Sequence, residues 1–376
     1  MKNLLVGNGI NIRFSGKEYT SQQIVLRVLK NCDRKDFPAD IIVDQPYLLK
    51  NYMGDLFFMA RDISAGKHDD LAILAQEKAF LFEFKQKYDA AFFKKARITD
   101  ICFEDYFFVH DMVCRMTDTM NPDHATIFEV LRIAYIYAIY NDGKINILYQ
   151  QYPDGFIAFL REHQMVFTTN YDLNLEAATA SEIIHLHGQF DKYKDVYDID
   201  SLRNKLPDAP AKTVKIDPKH AYLYCNAITT FSGNYKEKMV KLNDVAMDGI
   251  KKAVKVYDSD AKTRTEIDSW TLSDNKIIRN MGYAIREMSA HPDYSLTDNY
   301  HWSDFEKMRG DLDILGLSPW NDYHIFAVID SANLDSCTYY YFKEDEMEHV
   351  KDTLPELQKA GKLTFRDVKE FWANMR

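Results

Sequence analysis

Two short polar segments carry the side chains best suited to chemistry. Thr168-Thr169-Asn170-Tyr171-Asp172 directly follows an apolar run, and His187 precedes Gly188 at the end of another. A histidine in such a position can transfer protons near neutral pH, because its ordinary pKa is about 6.5. Taken alone, Asn170 and Asp172 fit better an Asx turn that caps the following helix.

Two further segments of this kind follow apolar runs. They are Gly7-Asn8-Gly9-Ile10-Asn11 near the start of the chain and Gly316-Leu317-Ser318 near its end. Gly7-x-Gly9 would let the backbone approach a phosphate, or it forms a tight strand-to-helix turn. Ile12 occupies the place of the third glycine of the dinucleotide-binding fingerprint.

His185 and His187 raise the question of a metal. They lie two residues apart on one predicted strand and could form a His-x-His pair. The sequence shows no further clear ligand cluster, so we expect no metal. His185 is more typical of a buried structural histidine.

The elements that must position these segments are strands and helices of an α/β protein. In an open parallel sheet, ligands bind beyond the carboxyl ends of the strands, so the four segments should converge on one crevice. The predicted strands are Asn3–Val6, Met165–Thr168, Glu182–Leu186, His220–Cys225, Leu312–Leu315 and Cys337–Phe342. The predicted helices are Tyr19–Asn31, most of Tyr47–Asn141, a short crossover within 171–180, one from Ile325 to Ile329, and Phe365–Met375.

These elements predict a Rossmann-like parallel sheet with a large helical insertion. The core would comprise 1–20, 145–235 and 300–345, with a loop over 197–219. The helical insertion would span 21–144, and Asn141-Asp142-Gly143 should end its last helix. A second insertion of mixed helix and loop would span 236–299, and a helical tail 346–376.

The composition restricts the partners. The net charge is −10, which disfavours general nucleic-acid binding. The five cysteines form no close pair, which is typical of reduced thiols in a cytosol. No apolar run reaches transmembrane length. We therefore expect a cytoplasmic protein that binds neither nucleic acid nor a membrane.

Together, the four segments resemble the sirtuin-like NAD-binding family. That family has a glycine-rich first loop, a Thr-Gln-Asn-x-Asp string, a His-Gly pair and a later Gly-Thr-Ser string. The four zinc-binding cysteines of sirtuin deacylases are absent, and the helical insertion is longer than a deacylase needs. Both departures look like the bacterial antiphage branch, such as the sirtuin-like domain of Thoeris A. The strings LLVGNGIN and LGLSPWNDYHIFAVID also look like those of AbiH-type abortive-infection proteins.

The resemblance implies hydrolysis of NAD⁺ to nicotinamide and ADP-ribose. Asn170 would hold the ribose or the attacking water, and His187 would be the general base. Asp172 would orient the loop or the ribose, while Ser318 and Asp322 would contact the adenosine side. The implied NAD-binding residues are Gly7, Asn8, Gly9, Ile10, Asn11, Arg13, Thr169, Asp172, Gly316, Ser318 and Asp322.

Other functions fit the same segments. The first alternative is a binding module that holds NAD or an ADP-ribose-like signal without turnover. The others are a protein deacylase, a metal hydrolase that uses His185 and His187, and an α/β domain without NAD chemistry. An NAD⁺ hydrolase of the antiphage kind would need silencing until a phage-derived trigger appears. The helical insertion is the candidate lid or surface for a homo-oligomer.

Overall fold

Six strands form one all-parallel sheet at the centre of the structure. The structure is a computed structural model that describes residues 1–72, 75–117, 123–192, 217–227, 236, 249–292 and 300–375. The strand order is β3-β2-β1-β4-β5-β6, which is the order of dinucleotide-binding sheets. The predicted Rossmann-like parallel sheet is thereby confirmed. The strands are β1 (Lys2–Val6), β2 (Met165–Thr168), β3 (Ile184–His185), β4 (Arg309–Leu315), β5 (Asn333–Tyr341) and β6 (Leu363–Asp367).

The register aligns the carboxyl ends of the strands that carry the candidate segments. Val6 of β1 pairs with Thr168 of β2 on one side and with Leu315 of β4 on the other. Thr168 in turn pairs with His185 of β3. The polar segments that follow these four strands therefore leave the sheet at one edge. The chain order reverses between β1 and β4, and this switch point is where such sheets bind ligands.

Helices cover both faces of the sheet because side chains alternate along each strand. Leu4 and Val6 pack on one face, whereas Leu5 packs on the other. The first face is covered by α1 (Gly9–Ser15), α8 (Asp154–Arg161), α9 (Asn174–Thr179) and α17 (Val368–Asn374). The second is covered by α13 (Trp302–Glu306), α14 (Tyr323–Ser331), α15 (Asp345–Thr353) and α16 (Pro355–Lys359).

The predicted helical insertion is confirmed as a block of helices, whose hydrophobic core also includes Tyr171, Phe190 and residues of the segment 222–227. It ends at Asn141, Asp142 and Gly143, whose φ angles are 50°, 55° and 80°. Positive φ stops a right-handed helix, as the Asn-Asp-Gly string predicts. The block contains α2 (Ser21–Asn31), α3 (Pro46–Ser64), α4 (Ala75–Lys87), α5 (Ala90–Phe93), α6 (Phe103–Thr117) and α7 (Asp123–Tyr140).

The second predicted insertion also contains helices, and these have a small core of their own. They are α10 (249–259), α11 (Ala261–Trp270) and α12 (Lys276–Ala290). None of the helices in the described ranges has both the length and the apolar character needed to cross a membrane. The loop predicted over 197–219 lies almost wholly outside the described residues.

Two predicted elements are wrong. His220–Cys225 is not a strand: Pro218–Tyr224 is a 3-10 helix, whose start is capped by the Asp217 carboxylate accepting from the Lys219 amide at 3.0 Å. A short apolar run has no period that separates the two structures.

The second wrong prediction is the helical tail over residues 346–376. Leu363–Asp367 forms β6 before α17 begins, so 346–376 is not wholly helical. The helical spacing of Phe365, Val368 and Phe371 conceals the alternation of the strand.

The glycines of the first loop permit a backbone contact across the switch point. A Cβ on Gly7 would lie 2.5 Å from the Gly316 carbonyl oxygen. We therefore expect Gly7→Ala to lower the free energy of unfolding by about 3 kcal/mol, at the upper end of the cost of overpacking. Urea denaturation of purified variants measures this change.

Gly54→Ala is the matched control. Gly54 lies within α3, and a Cβ there would meet no atom within 4 Å. Alanine should raise the stability by roughly 0.5–1 kcal/mol, because glycine is a poor helix former. Equal effects of the two substitutions would contradict the packing argument.

Candidate functional site

At the switch point of the sheet, the first loop directly contacts the loop after β4. The Gly7 amide donates to the Leu315 carbonyl at 2.9 Å, and the Gly9 amide donates to the Gly316 carbonyl at 2.8 Å. A Cβ on Gly9 would lie 2.7 Å from the Gly316 Cα. The close approach that the sequence suggested for a phosphate is thus made by the backbone of Gly316.

The other predicted residues of the first loop differ in position. Asn11 is buried on α1 and faces Asp172, whereas Ile10 packs in the core. Arg13 is exposed, and its guanidinium lies over the Trp372 ring at 5.7 Å. Two residues are roughly 200° around a helix, so Arg13 cannot share the face of Asn11. The structure therefore does not bring Arg13 to the crevice.

Asn8 and Ser318 lie at the exposed rim. The Asn8 side-chain amide donates to the Tyr19 carbonyl at 2.9 Å and fixes the turn after α1. The Ser318 hydroxyl accepts from the Trp320 amide at 3.4 Å. Both side chains therefore stabilise loops in this structure.

Asn170 joins β2 to both neighbouring strands. Its side-chain amide donates to the Gly7 carbonyl at 3.3 Å, and its own carbonyl lies 2.8 Å from His185 Nδ1. Thr169 is half-buried beside it, with its amide donating to the Val6 carbonyl at 3.1 Å. Asn170 is only 8% exposed. The bond from its side chain to Gly7 is slightly longer than the usual range for an N–H···O hydrogen bond.

Asp172 holds the end of the loop. Its carboxylate accepts from Asn11 Nδ2 at 2.6 Å, and from the amide and side chain of Asn174 at 3.2 and 2.6 Å. The bond to the Asn174 amide is the Asx turn that the sequence suggested. Burial raises the pKa of Asp172, against the lowering effect of these bonds. Asn11 Oδ1 is buried without a hydrogen-bond partner among the described residues.

His185 is structural, as expected. Nδ1 faces the Asn170 carbonyl, and Nε2 lies 2.6 Å from Glu176 Oε1. Burial lowers the pKa of His185, but Glu176 and the Asn170 carbonyl raise it above the ordinary value. Because both ring nitrogens are engaged, His185 cannot pair with His187 as a metal ligand. The suggested His-x-His site is therefore not formed.

His187 meets another histidine instead. Its Nε2 lies 3.0 Å from Nε2 of His324 on α14, with the rings nearly parallel at 19°. His187 is 2% exposed and His324 is 1% exposed. Burial lowers the pKa of His187, and Lys236 and His324 lower it further. The neutral ring is therefore its stable form at pH 7.

Gly188 lets this histidine loop pack against a neighbouring segment. Its φ is +85°, and a Cβ there would lie 2.3 Å from the Asn226 carbonyl oxygen. Asn226 holds the loop further by accepting from the Gln189 amide at 2.8 Å. The Asn226 carbonyl accepts in turn from the Tyr300 hydroxyl at 3.0 Å. The position of His187 thus depends on close packing on its carboxyl side.

Asp322 and a buried lysine complete the electrostatic surroundings. Burial raises the pKa of Asp322 to about 7, although Lys236 opposes the shift. The Lys236 side chain is 1% exposed, and its Nζ donates to Glu104 Oε1 at 2.7 Å. Glu104 belongs to α6, so the helical block contributes a charge next to the crevice. Asp322, His187 and His324 each offer one ligand atom, and these atoms lie within 4.8 Å of one another.

Sequence reasoning missed His324, Lys236, Glu104 and Asn226. His324 had a weak signal, since it follows Asp322 by two residues at the start of a predicted helix. Nothing in the local sequence distinguishes Lys236 from the other lysines of its polar segment. These contacts join distant parts of the chain, so only the folded structure shows them.

Comparison with protein-family models, with curated proteins and with solved structures found no match for this chain. The strand order and the position of the polar residues define its class: a Rossmann-like α/β protein with a polar site at the carboxyl edge of β1 to β4.

The contacts of Asp172 predict that its role includes holding the fold. Asp172→Ala should lower the free energy of unfolding by about 3 kcal/mol, because it leaves buried N–H groups of Asn11 and Asn174 without an acceptor. Asp172→Asn should cost only about 1 kcal/mol, since Asn11 can rotate its amide and accept through the unpartnered Oδ1. Urea denaturation separates these cases. Equal losses would show that Asn11 does not rotate.

Proposed function

We propose that this protein hydrolyses NAD⁺ to nicotinamide and ADP-ribose. The observation that carries the proposal is the position of Asn170 and His187 on the crevice side of a sheet with the dinucleotide-binding strand order. They follow the adjacent strands β2 and β3, and contact residues that follow β1 and β4. The sequence resemblance independently assigns the same two residues to the reacting ribose.

The chemistry requires few groups. Cleavage of the nicotinamide–ribose bond develops oxocarbenium character on the ribose, as in glycoside hydrolysis. Nicotinamide leaves as a neutral molecule from a cationic precursor, so no strong acid is needed. The Asn170 amide would exchange its long bond to Gly7 for one to the ribose or the water. His187, neutral because it is buried, would accept the proton of the water or of a ribose hydroxyl.

The remaining residues suggest how the ligand would lie. Asp172 and Asn11 support the loop beneath the ribose. Gly316 and Ser318, after β4, lie where the pyrophosphate and adenosine would extend across the switch point. Asn170 and His187 are both buried, so NAD⁺ must displace some of the groups that cover them. Local opening would therefore precede catalysis.

The proposal extends to the biological setting. The resemblance to antiphage sirtuin-like and abortive-infection proteins supports a role in bacterial defence in the cytoplasm. The protein would act as a homo-oligomer, and a phage-derived trigger would release it from inhibition. The contact between Lys236 and Glu104 supports a link between the helical block and the site, since a shift of α6 would leave a buried lysine unpaired.

NAD⁺ loss by the purified protein tests the proposal. With candidate phage triggers present, the wild-type protein should convert NAD⁺ to nicotinamide and ADP-ribose, followed by chromatography, and should do so in the presence of a chelator. His187→Ala and Asn170→Ala should each lower the rate by about 100-fold or more, the typical effect of removing a general base or a positioned hydrogen-bond donor. Thermal unfolding would verify that both variants fold.

His301→Ala is the matched control, because His301 is exposed and its Nδ1 lies 3.4 Å from the carboxylate of the exposed Asp304. It should retain full activity. NAD⁺ loss that survives both site substitutions would contradict the assignment. Tight NAD⁺ binding without turnover, with candidate triggers present, would replace the hydrolase by the binding module.

A further inference from the structure

We propose that His187, His324 and Asp322 form a binding site for a first-row divalent cation of the Zn²⁺ type. Two imidazoles and one carboxylate are a ligand set that such ions accept, and a fourth position remains for water or a substrate atom. The ligands come from the loop after β3 and from the start of α14. The site is thus distinct from the His185–His187 pair that the sequence suggested.

The distances fit an ion with a small adjustment. Two Zn–N bonds of roughly 2.0–2.1 Å at a tetrahedral angle place the nitrogens roughly 3.3 Å apart. His187 Nε2 and His324 Nε2 are 3.0 Å apart, so the rings need to separate by a few tenths of an ångström. The Asp322 oxygen lies within 4.8 Å of both, and its half-buried side chain can rotate inward.

Burial of the two imidazoles disfavours their charged forms. Both imidazoles are almost fully buried, and metal ions bind the neutral ring. Among the described residues, the charged groups that act on this site are Asp322, Lys236 and Glu104. Lys236 disfavours a second cation, but Glu104 holds it at 2.7 Å, so with Asp322 ionised the three groups sum to −1. The Asp322 carboxyl must lose its proton for the site to carry this charge, because burial raises its pKa to about 7.

Occupancy has a consequence that rests on the proposed hydrolase function. Coordination at Nε2 takes the lone pair of His187 and leaves its proton on Nδ1. The ring then has no nitrogen that can accept a proton, so it cannot act as a general base. Bound metal would silence the enzyme reversibly. This is a role for the cation in regulation, and catalysis proceeds on the metal-free protein.

Metal binding by the full chain tests the site directly. Metal-stripped protein should bind one equivalent of Zn²⁺ by isothermal titration calorimetry, and Co²⁺ should give the visible absorption of a tetrahedral site. His324→Gln and Asp322→Asn should each weaken Zn²⁺ binding by about 100-fold or more, since even outer-shell partners contribute roughly 10- to 100-fold. Two separate substitutions protect the test against one that fails to fold.

Two control variants test whether Zn²⁺ binds to histidine or thiol groups elsewhere in the chain. His301→Ala removes an exposed histidine beside an aspartate and should leave binding unchanged. Cys114→Ser removes a thiol whose Sγ lies 3.5 Å from His110 Nε2 and should also leave it unchanged. Binding that survives His324→Gln and Asp322→Asn but is lost with Cys114→Ser would overturn the proposal, as would no binding by the wild type.

NAD⁺ loss provides a separate readout for silencing. One equivalent of Zn²⁺ should suppress turnover by the wild type, and a chelator should restore it. Unchanged or faster turnover with Zn²⁺ bound would overturn the silencing role. If the metal-free protein never consumes NAD⁺ even with candidate phage triggers present, while calorimetry shows that Zn²⁺ binds through His324 and Asp322, the hydrolase proposal fails and the metal site stands.

Discussion

The contact of glycine backbones between the β1 and β4 loops is the constraint on which the site depends. The backbones of Gly7 and Gly9 lie so close to Gly316 that a Cβ on either residue would clash with it. This contact lies at the switch point of the sheet, where the chain order reverses. It brings the ends of β1 and β4 together, and Asn170 then attaches the end of β2 to Gly7. The glycines therefore form the floor of the candidate site.

Burial of polar groups on this floor determines their chemistry. Asp172 keeps its place because two asparagines donate to it, and its loop cannot move without breaking those bonds. His187 stays neutral because burial and Lys236 disfavour its charge. A neutral imidazole can serve as a base or as a metal ligand, but one ring cannot be both at once. The two uses compete because both require His187 Nε2, which lies 3.0 Å from His324 Nε2.

Much of this arrangement could be predicted from the sequence, because the ends of strands are recognised from local sequence patterns. The apolar runs before Gly7, Asn170 and Gly316 predicted three strands of the sheet, and parallel pairing brought their ends to one edge. Contacts between distant segments of the chain could not be predicted from the sequence. Lys236 and Glu104 are 132 residues apart, and nothing in either segment indicates the other. Helical spacing of Phe365 with later residues concealed β6, which is stabilised by pairing with β5.

The location of bound ADP-ribose tests the central claim most directly. ADP-ribose is the product expected at this site, and it cannot be consumed by the proposed reaction. A crystal structure of the complex should place the ribose within hydrogen-bonding distance of Asn170, with the pyrophosphate beside the Gly7 and Gly316 loops. Ordered ADP-ribose on another surface, or an empty crevice at millimolar ligand, would contradict the assignment of this crevice as an NAD⁺ site.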